Sequence, residues 1–312
     1  MKRLPGVRGG SVLTYRLTPL GLPPLLLEPV LHELPLQTSK FVLLIHGFNV
    51  TEDDAFATYR RFCIEQQRLA DLDANDAVSE DRAFIEVDWP GGINAAKAVS
   101  WAGYPLAVSQ AKELGPRIAA DLSEAARRLG HLTLDIVAHS LGCRLAIETI
   151  RALGPNITVT GIVFQAAAVD VEQLASEQDR YGLRSALLNA KCRIHSLYSE
   201  GDQVLFRAFP GGQELAMEAA GWTRVPTALG HTRWDQDSIL GTSLRQVQIA
   251  GAGHSDYWGG GGKPKQVRSA QYEVRSALGF RPPGVRRLPH AEARERELAE
   301  LRRLAQRTTK MS

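Results

Sequence analysis

Cysteine is scarce in this chain. Three residues of 312, Cys63, Cys143 and Cys192, are too few, too widely spaced and odd in number for a disulfide framework or a zinc cage. A reducing, cytoplasmic setting is the expectation. Neither H-x-x-x-H nor C-x-x-C spacing occurs, so no metal site is expected. Long apolar runs are missing too, and no stretch approaches the length that spans a bilayer. The opening "MKRLPGVRGG" starts basic, but Pro5, Arg8 and its glycines deny it the apolar core of a secretion signal. The body of the chain also lacks a net positive charge. Residues 281–312 hold nine Lys/Arg against four Glu, a net +5 in a chain of net +3, so the remainder sums to −2. That balance offers no electrostatic track for nucleic acid.

What is present describes an ordinary globular protein. The chain is 44% hydrophobic and 23% charged, with 28 Gly and 16 Pro. Its length suits one large α/β domain or two smaller ones, either with a substantial core. Residues 1–40, rich in Pro and Leu, form a leading segment that could hold a short strand or hairpin. From residue 41 short apolar runs alternate with helical patterns. "FVLLI" (41–45), "AFIEVDWPGG" (83–92), "LTLDIVA" (132–138), "VTGIVFQAAA" (159–168), "CRIHSLYS" (192–199) and "LRQVQIAG" (244–251) read as strands. "GPRIAADLSEAARRLG" predicts a helix that starts near Pro116, and "CRLAIETIRALGP" one that stops at Gly154-Pro155. Residues 93–114 add an apolar helical segment over the sheet edge. This order predicts an α/β fold, a mostly parallel central sheet with helices on both faces over residues 41–280. Ligands in such sheets lie beyond the carboxyl ends of the strands. Residues 206–243, polar and punctuated by Gly and Pro, predict a loop or cap excursion. Residues 281–312 predict a basic helical tail with a narrow stripe of Leu298, Leu301 and Ala305, a solvated helix or a self or partner contact.

The chemistry-bearing residues all fall at strand ends. Ala138-His139-Ser140-Leu141-Gly142 is small-x-Ser-x-Gly placed between an apolar strand and an amphipathic helix. That context is what a nucleophile on a tight strand-to-helix turn requires. A helix N-cap is the competing reading of Ser140, but a hydroxyl nucleophile further demands a base and an acid. His254, on the Gly-flanked loop after the last strand, is the better base, ahead of His231 inside the excursion. Asp202 follows the penultimate strand and is the better placed acid. Asp170 is the alternative acid, equally explained as a helix cap, and Glu200 is a third option. "HGFN" at 46–49 closes the first strand, and the Phe48 and Leu141 amides would supply the two N–H donors that a tetrahedral intermediate needs. His46 and His139 read as structural. Phe48, Trp101 and Tyr104 are candidate pocket walls.

"FVLLIHGFNV", "EVDWPGG", "LDIVAHSLG", "VFQAAAVD", "SLYSEGDQVL" and "GAGHSDYW" together resemble the α/β-hydrolase superfamily, and within it a bacterial group of esterase- or lipase-like hydrolases. The resemblance covers about residues 40–260. It implies an eight-stranded, mostly parallel sheet and no cofactor. Carried over, its nucleophile falls on Ser140, its acid on Asp202, its base on His254 and its oxyanion amides on Phe48 and Leu141. Ala138 departs from the usual Gly. The expected activity is cleavage of a small-molecule or lipid carboxylic ester through a Ser-His-Asp triad and an acyl-enzyme. A thioesterase, amidase or acyltransferase could run on the same triad. A silent hydrolase-like scaffold that binds a partner through its C-terminal helix is the non-enzymatic alternative.

Overall fold

In a computed structural model the described residues are 11–15, 40–72, 80–91, 103–175, 179, 181–216, 225–234, 240, 244–258 and 262–281. All of them fall in one compact unit, Gly10–Pro282. Residues 282–312, with the stripe of Leu298, Leu301 and Ala305, lie outside the described residues, as does Trp101.

The apolar runs become strands of one seven-stranded sheet, ordered β1-β4-β2-β5-β6-β7-β8. These are β1 Ser11–Thr14, β2 Lys40–Ile45, β4 Ala83–Asp88, β5 Leu132–His139, β6 Ile157–Gln165, β7 Arg193–Tyr198 and β8 Leu244–Gln248. Every pairing is parallel. β3 Glu80–Asp81 makes a separate two-stranded pair with β9 Phe280–Arg281. Phe41 to Ile45 are wholly buried, because a parallel strand with helices over both faces has no solvent side. The expected α/β fold is therefore present. The implied eighth strand has no counterpart among the described residues. The leading segment supplies β1, which pairs directly with β4.

Helices cover both faces. α2 Tyr104–Leu129, α3 Gly142–Ala152 and α5 Leu183–Asn189 pack together on one side, while α1 Glu52–Leu72 and α8 Pro264–Leu278 pack on the other. α4 Val171–Ala175 abuts α5. The helix expected to start near Pro116 in fact begins at Tyr104, with Pro105 in its first turn and Pro116 inside it. Val108, Ala111, Leu114, Ile118, Leu122 and Ala125 keep one buried stripe across the proline. Pro116 itself is exposed, away from that stripe.

Beside it, Gly115 lets α2 and α3 approach closely. A Cβ there would fall 2.5 Å from Glu148 Cβ and 2.7 Å from the Glu148 carbonyl carbon. Ala normally improves on Gly inside a helix by about 1 kcal/mol. Here the sign reverses, because overpacking typically costs about 1–3 kcal/mol. Gly115→Ala is expected to lower the thermal midpoint by several degrees. A midpoint that stays or rises would show that the two helices separate freely.

The described residues of the 206–243 excursion include helix. α6 Gln203–Arg207 leads into it and α7 Phe209–Leu215 lies within it. Its return limb then buries Ala228, Leu229 and Gly230 against the segment after β6. Leu229 N–H donates to Val169 O at 2.9 Å, Gly230 N–H to Ala167 O at 3.0 Å, and Val171 N–H to Thr227 O at 3.1 Å. A short apolar "ALG" satisfied by long-range backbone bonds carries no periodicity that a sequence reading could detect.

Candidate active site

Between β5 and α3 the chain has two residues in which to turn. Ser140 takes φ 53, the left-handed region, which costs a non-glycine residue about 1–2 kcal/mol. Three backbone bonds hold it there. Ser140 N–H donates to Gln165 O at 2.9 Å, and Ser140 O accepts from Cys143 and Ala168 N–H, each at 3.1 Å. Small neighbours are obligatory on the helix side. A Cβ on Gly142 would run into the His46 carbonyl and fall 2.8 Å from Ile45 O. Ala138 is tolerated where the superfamily pattern has Gly. It is the penultimate residue of β5, paired with Ile45 and Phe164, and it has no positive φ.

The end of β2 lies against this turn. A Cβ on Gly47 would sit 2.8 Å from Ser140 Cβ, so the backbone at residues 47–48 runs in contact with the serine. The segment is clamped from behind. Asn49, at φ 56, donates its N–H to Gly91 O at 2.8 Å. Trp89 Nε1–H donates to His46 O at 2.9 Å, and His46 N–H donates to the Tyr59 hydroxyl, also at 2.9 Å. His46 Nδ1 is 2.9 Å from Gly47 O, and a carbonyl can only accept, so Nδ1 carries the proton and the ring serves the turn. The Leu141 amide makes no hydrogen bond among the described residues. The Phe48 ring meets Tyr104 edge-on at 5.6 Å, and the Tyr104 hydroxyl accepts from Gln213 Nε2 at 2.9 Å.

Asp202 ends the turn after β7 and is fully buried. It does two jobs at once. Oδ1 caps α6 by accepting from Val204 and Leu205 N–H, each at 3.0 Å. Oδ2 lies 2.8 Å from His254 Nδ1. Burial pushes this carboxyl up, but the His254 hydrogen bond and charge and the Leu205 N–H outweigh burial. The group is held below the ordinary carboxylate range. A carboxylate only accepts, so His254 Nδ1 donates, and Nε2 is left to accept from the Ser140 hydroxyl 2.8 Å away. A hydroxyl in that position can pass its proton to the ring as it attacks an electrophile.

The His254 loop is tied down on several sides. Asp256 Oδ2 accepts from Gly253 N–H at 2.8 Å, Ser199 Oγ donates to Ala252 O at 2.7 Å, and Lys263 Nζ donates to Gly251 O at 2.7 Å. His139 Nε2 reaches the His254 carbonyl at 2.8 Å. Sequence reasoning did not single out Asp256 or give His139 a partner. An Asp two residues after a loop histidine was a visible signal for a local turn, whereas the His139 contact spans 115 residues.

The structure thus brings together Ser140, Asp202 and His254, with Gly47 against the serine. It does not bring in the alternatives. Asp170 Oδ1 accepts from Glu172 N–H at 2.9 Å and caps α4. Glu200 is exposed. His231 is half-buried, with its ring 5.3 Å from that of Phe206. Among the described residues no group of three or more His, Cys, Asp or Glu could hold a metal, and no helix is long and apolar enough to cross a membrane.

Against known proteins, the model of a family described as "Alpha/beta hydrolase of unknown function (DUF900)" matches residues 29–208. That span includes Ser140 and Asp202 and stops short of His254. A search of curated proteins gives no match. Solved structures similar to the chain include a predicted hydrolase from Thermoplasma acidophilum, 15% identical with a TM-score of 0.39, covering 77% of this chain and 88% of that one. A monoacylglycerol lipase from Paleococcus ferrophilus is 13% identical with a TM-score of 0.39, covering 77% and 93%. A carboxylesterase from Bacillus subtilis is 12% identical with a TM-score of 0.36, covering 78% and 84%.

Proposed function

Because the chain belongs to that family of α/β-hydrolases, we propose that it is a serine hydrolase cleaving the carboxylic ester of a small molecule or lipid. The observation that supports this reading is the unbroken path from Asp202 Oδ2 through His254 to Ser140 Oγ, two contacts of 2.8 Å each. Ser140 Oγ attacks the acyl carbon while His254 Nε2 takes its proton, and Asp202 holds the tautomer that makes this transfer possible. The oxyanion is received by the Phe48 and Leu141 amides, each worth about 10²–10³ in rate for groups of this kind. The protonated His254 then returns its proton to the leaving alcohol. Water, deprotonated by the same ring, attacks the acyl-enzyme and releases the acid and the free serine. The half-buried Phe48 ring, backed edge-on by Tyr104, would offer an apolar wall to the acyl or alcohol portion. The three cysteines are free thiols, which suits a reducing, cytoplasmic compartment.

The test is covalent labelling followed by turnover. A fluorophosphonate probe should add once, to Ser140, as read by peptide mass spectrometry. Nitrophenyl esters of graded acyl length should turn over faster than the matching thioester and anilide. A probe that leaves Ser140 unmodified would sink the nucleophile assignment. Preferential thioester or anilide turnover would move the reaction to a thioesterase or amidase.

A further inference from the structure

Ser140 and His254 are supported by elements that do not touch. Ser140 follows β5, whereas His254 follows β8, and β6 and β7 lie between those strands. The separation of Oγ and Nε2 would then depend on strand spacing accumulated across the sheet and on a loop containing Gly251 and Gly253. Asp256, Ser199 and Lys263 anchor that loop to itself, to the end of β7 and to the start of α8, not to the nucleophile's turn.

His139 supplies the missing tie. It precedes Ser140 in the elbow, and its Nε2 lies 2.8 Å from the backbone carbonyl of His254. Its ring lies 5.0 Å from the His254 ring and within 6.1 Å and 6.3 Å of Tyr257 and Trp258, while a Cβ on Gly47 would fall 3.1 Å from its Nδ1. The carbonyl only accepts, so Nε2 carries the proton. We propose that His139 is a positioning residue, one whose Nε2–H, donated to the His254 carbonyl from inside the elbow, sets the His254 imidazole at hydrogen-bonding distance from Ser140 Oγ. This rests on the Ser140, His254 and Asp202 reading above. The groups around His139 suit a fixed neutral donor. Burial, then the neighbouring His254, drive it down to about 3, with the His254 carbonyl and Asp202 acting in the opposite direction and His46 adding to the lowering. His139 therefore stays neutral, and its donor stays in place, while His254 gains and loses its proton.

The test pairs His139→Leu, which keeps apolar bulk without a donor, with His139→Gln, which restores an N–H at similar reach. His139→Leu is expected to slow both kcat and the fluorophosphonate labelling rate about tenfold or more with KM nearly unchanged, since small displacements of a catalytic group carry penalties of that order. His139→Gln should recover most of both rates. Labelling by His139→Leu at the native rate overturns the proposal, as does a His139→Gln variant as slow as His139→Leu. If the leucine variant does not fold, nitrogen-15 NMR of histidine-labelled native protein decides. A neutral Nε2–H tautomer at His139 supports the proposal, and an Nδ1–H tautomer overturns it. Native labelling that persists in Ser140→Ala would reject the triad itself. Unchanged kinetics in His139→Leu beside a dead Ser140→Ala would reject this inference alone.

Discussion

Ser140→Ala is expected to lose ester turnover by a factor of about 10⁶, the order seen when a triad nucleophile is removed from a serine hydrolase. On the proposed mechanism the hydroxyl is the atom that bonds to the acyl carbon, and its removal leaves His254 and Asp202 a proton path without that nucleophile at its end. Ser140→Gly should be equally inactive and yet more stable than Ser140→Ala. The backbone at 140 has φ 53, and alanine must keep that strained conformation whereas glycine adopts it at little cost. The difference should be about 1 kcal/mol, a few degrees in thermal midpoint for a chain of this size. Paired assays of nitrophenyl ester turnover and thermal melting check both statements. Turnover by Ser140→Ala above roughly one per cent of native would remove Ser140 from the chemistry. Identical midpoints for the two variants would show that the elbow stores no strain.

The parts of this molecule legible in the sequence are those where one physical demand leaves a local trace. A strand buried on both faces is largely apolar, which exposes β2 in "FVLLI" and, despite Asp135 and Thr160, most of β5 and β6 in "LTLDIVA" and "VTGIVFQAAA". The turns at the carboxyl ends of such strands need small or polar residues. Ser140, Asp202 and His254 therefore stand out from their apolar surroundings before anything is known of their distances. Three features left no such trace. Pro116 looked like a helix start because proline is favoured there, but Pro105 had the same credential, and tertiary packing along α2 chose between them. Ala228 to Gly230 are buried by bonds to the segment after β6, far earlier in the chain. In the sequence His139 resembles any strand-end residue, and only its meeting with His254 distinguishes it.

Asp202→Asn is expected to reduce kcat by about 10⁴, the scale seen when an orienting carboxylate becomes an amide. The cap geometry supplies the reason. The atom that accepts from Val204 and Leu205 N–H must remain an oxygen, so the nitrogen of the substituted amide would face His254 Nδ1. That nitrogen is a donor, and it would force the imidazole to carry its proton on Nε2, where it can no longer accept from Ser140. Asn caps helices as well as Asp does, so at neutral pH the loss of stability should be limited to what the ionised carboxylate contributes through His254. Asp202→Ala, which also loses the cap, should melt lower, by about 1 kcal/mol. The pH dependence of stability follows from the depressed carboxyl. A group held below its unfolded value stabilises the fold above the ordinary Asp range and loses that contribution as pH falls through the folded value. Below about pH 4 the native protein should therefore lose stability more steeply than Asp202→Asn. Asp170→Asn serves as the control, since Asp170 caps α4 and Asn can take over that role. Its kcat should stay within about twofold of native. A collapse of kcat in Asp170→Asn with near-native turnover in Asp202→Asn would exchange the two assignments. The His254 contact at 2.8 Å to Asp202 would then require a reason other than catalysis.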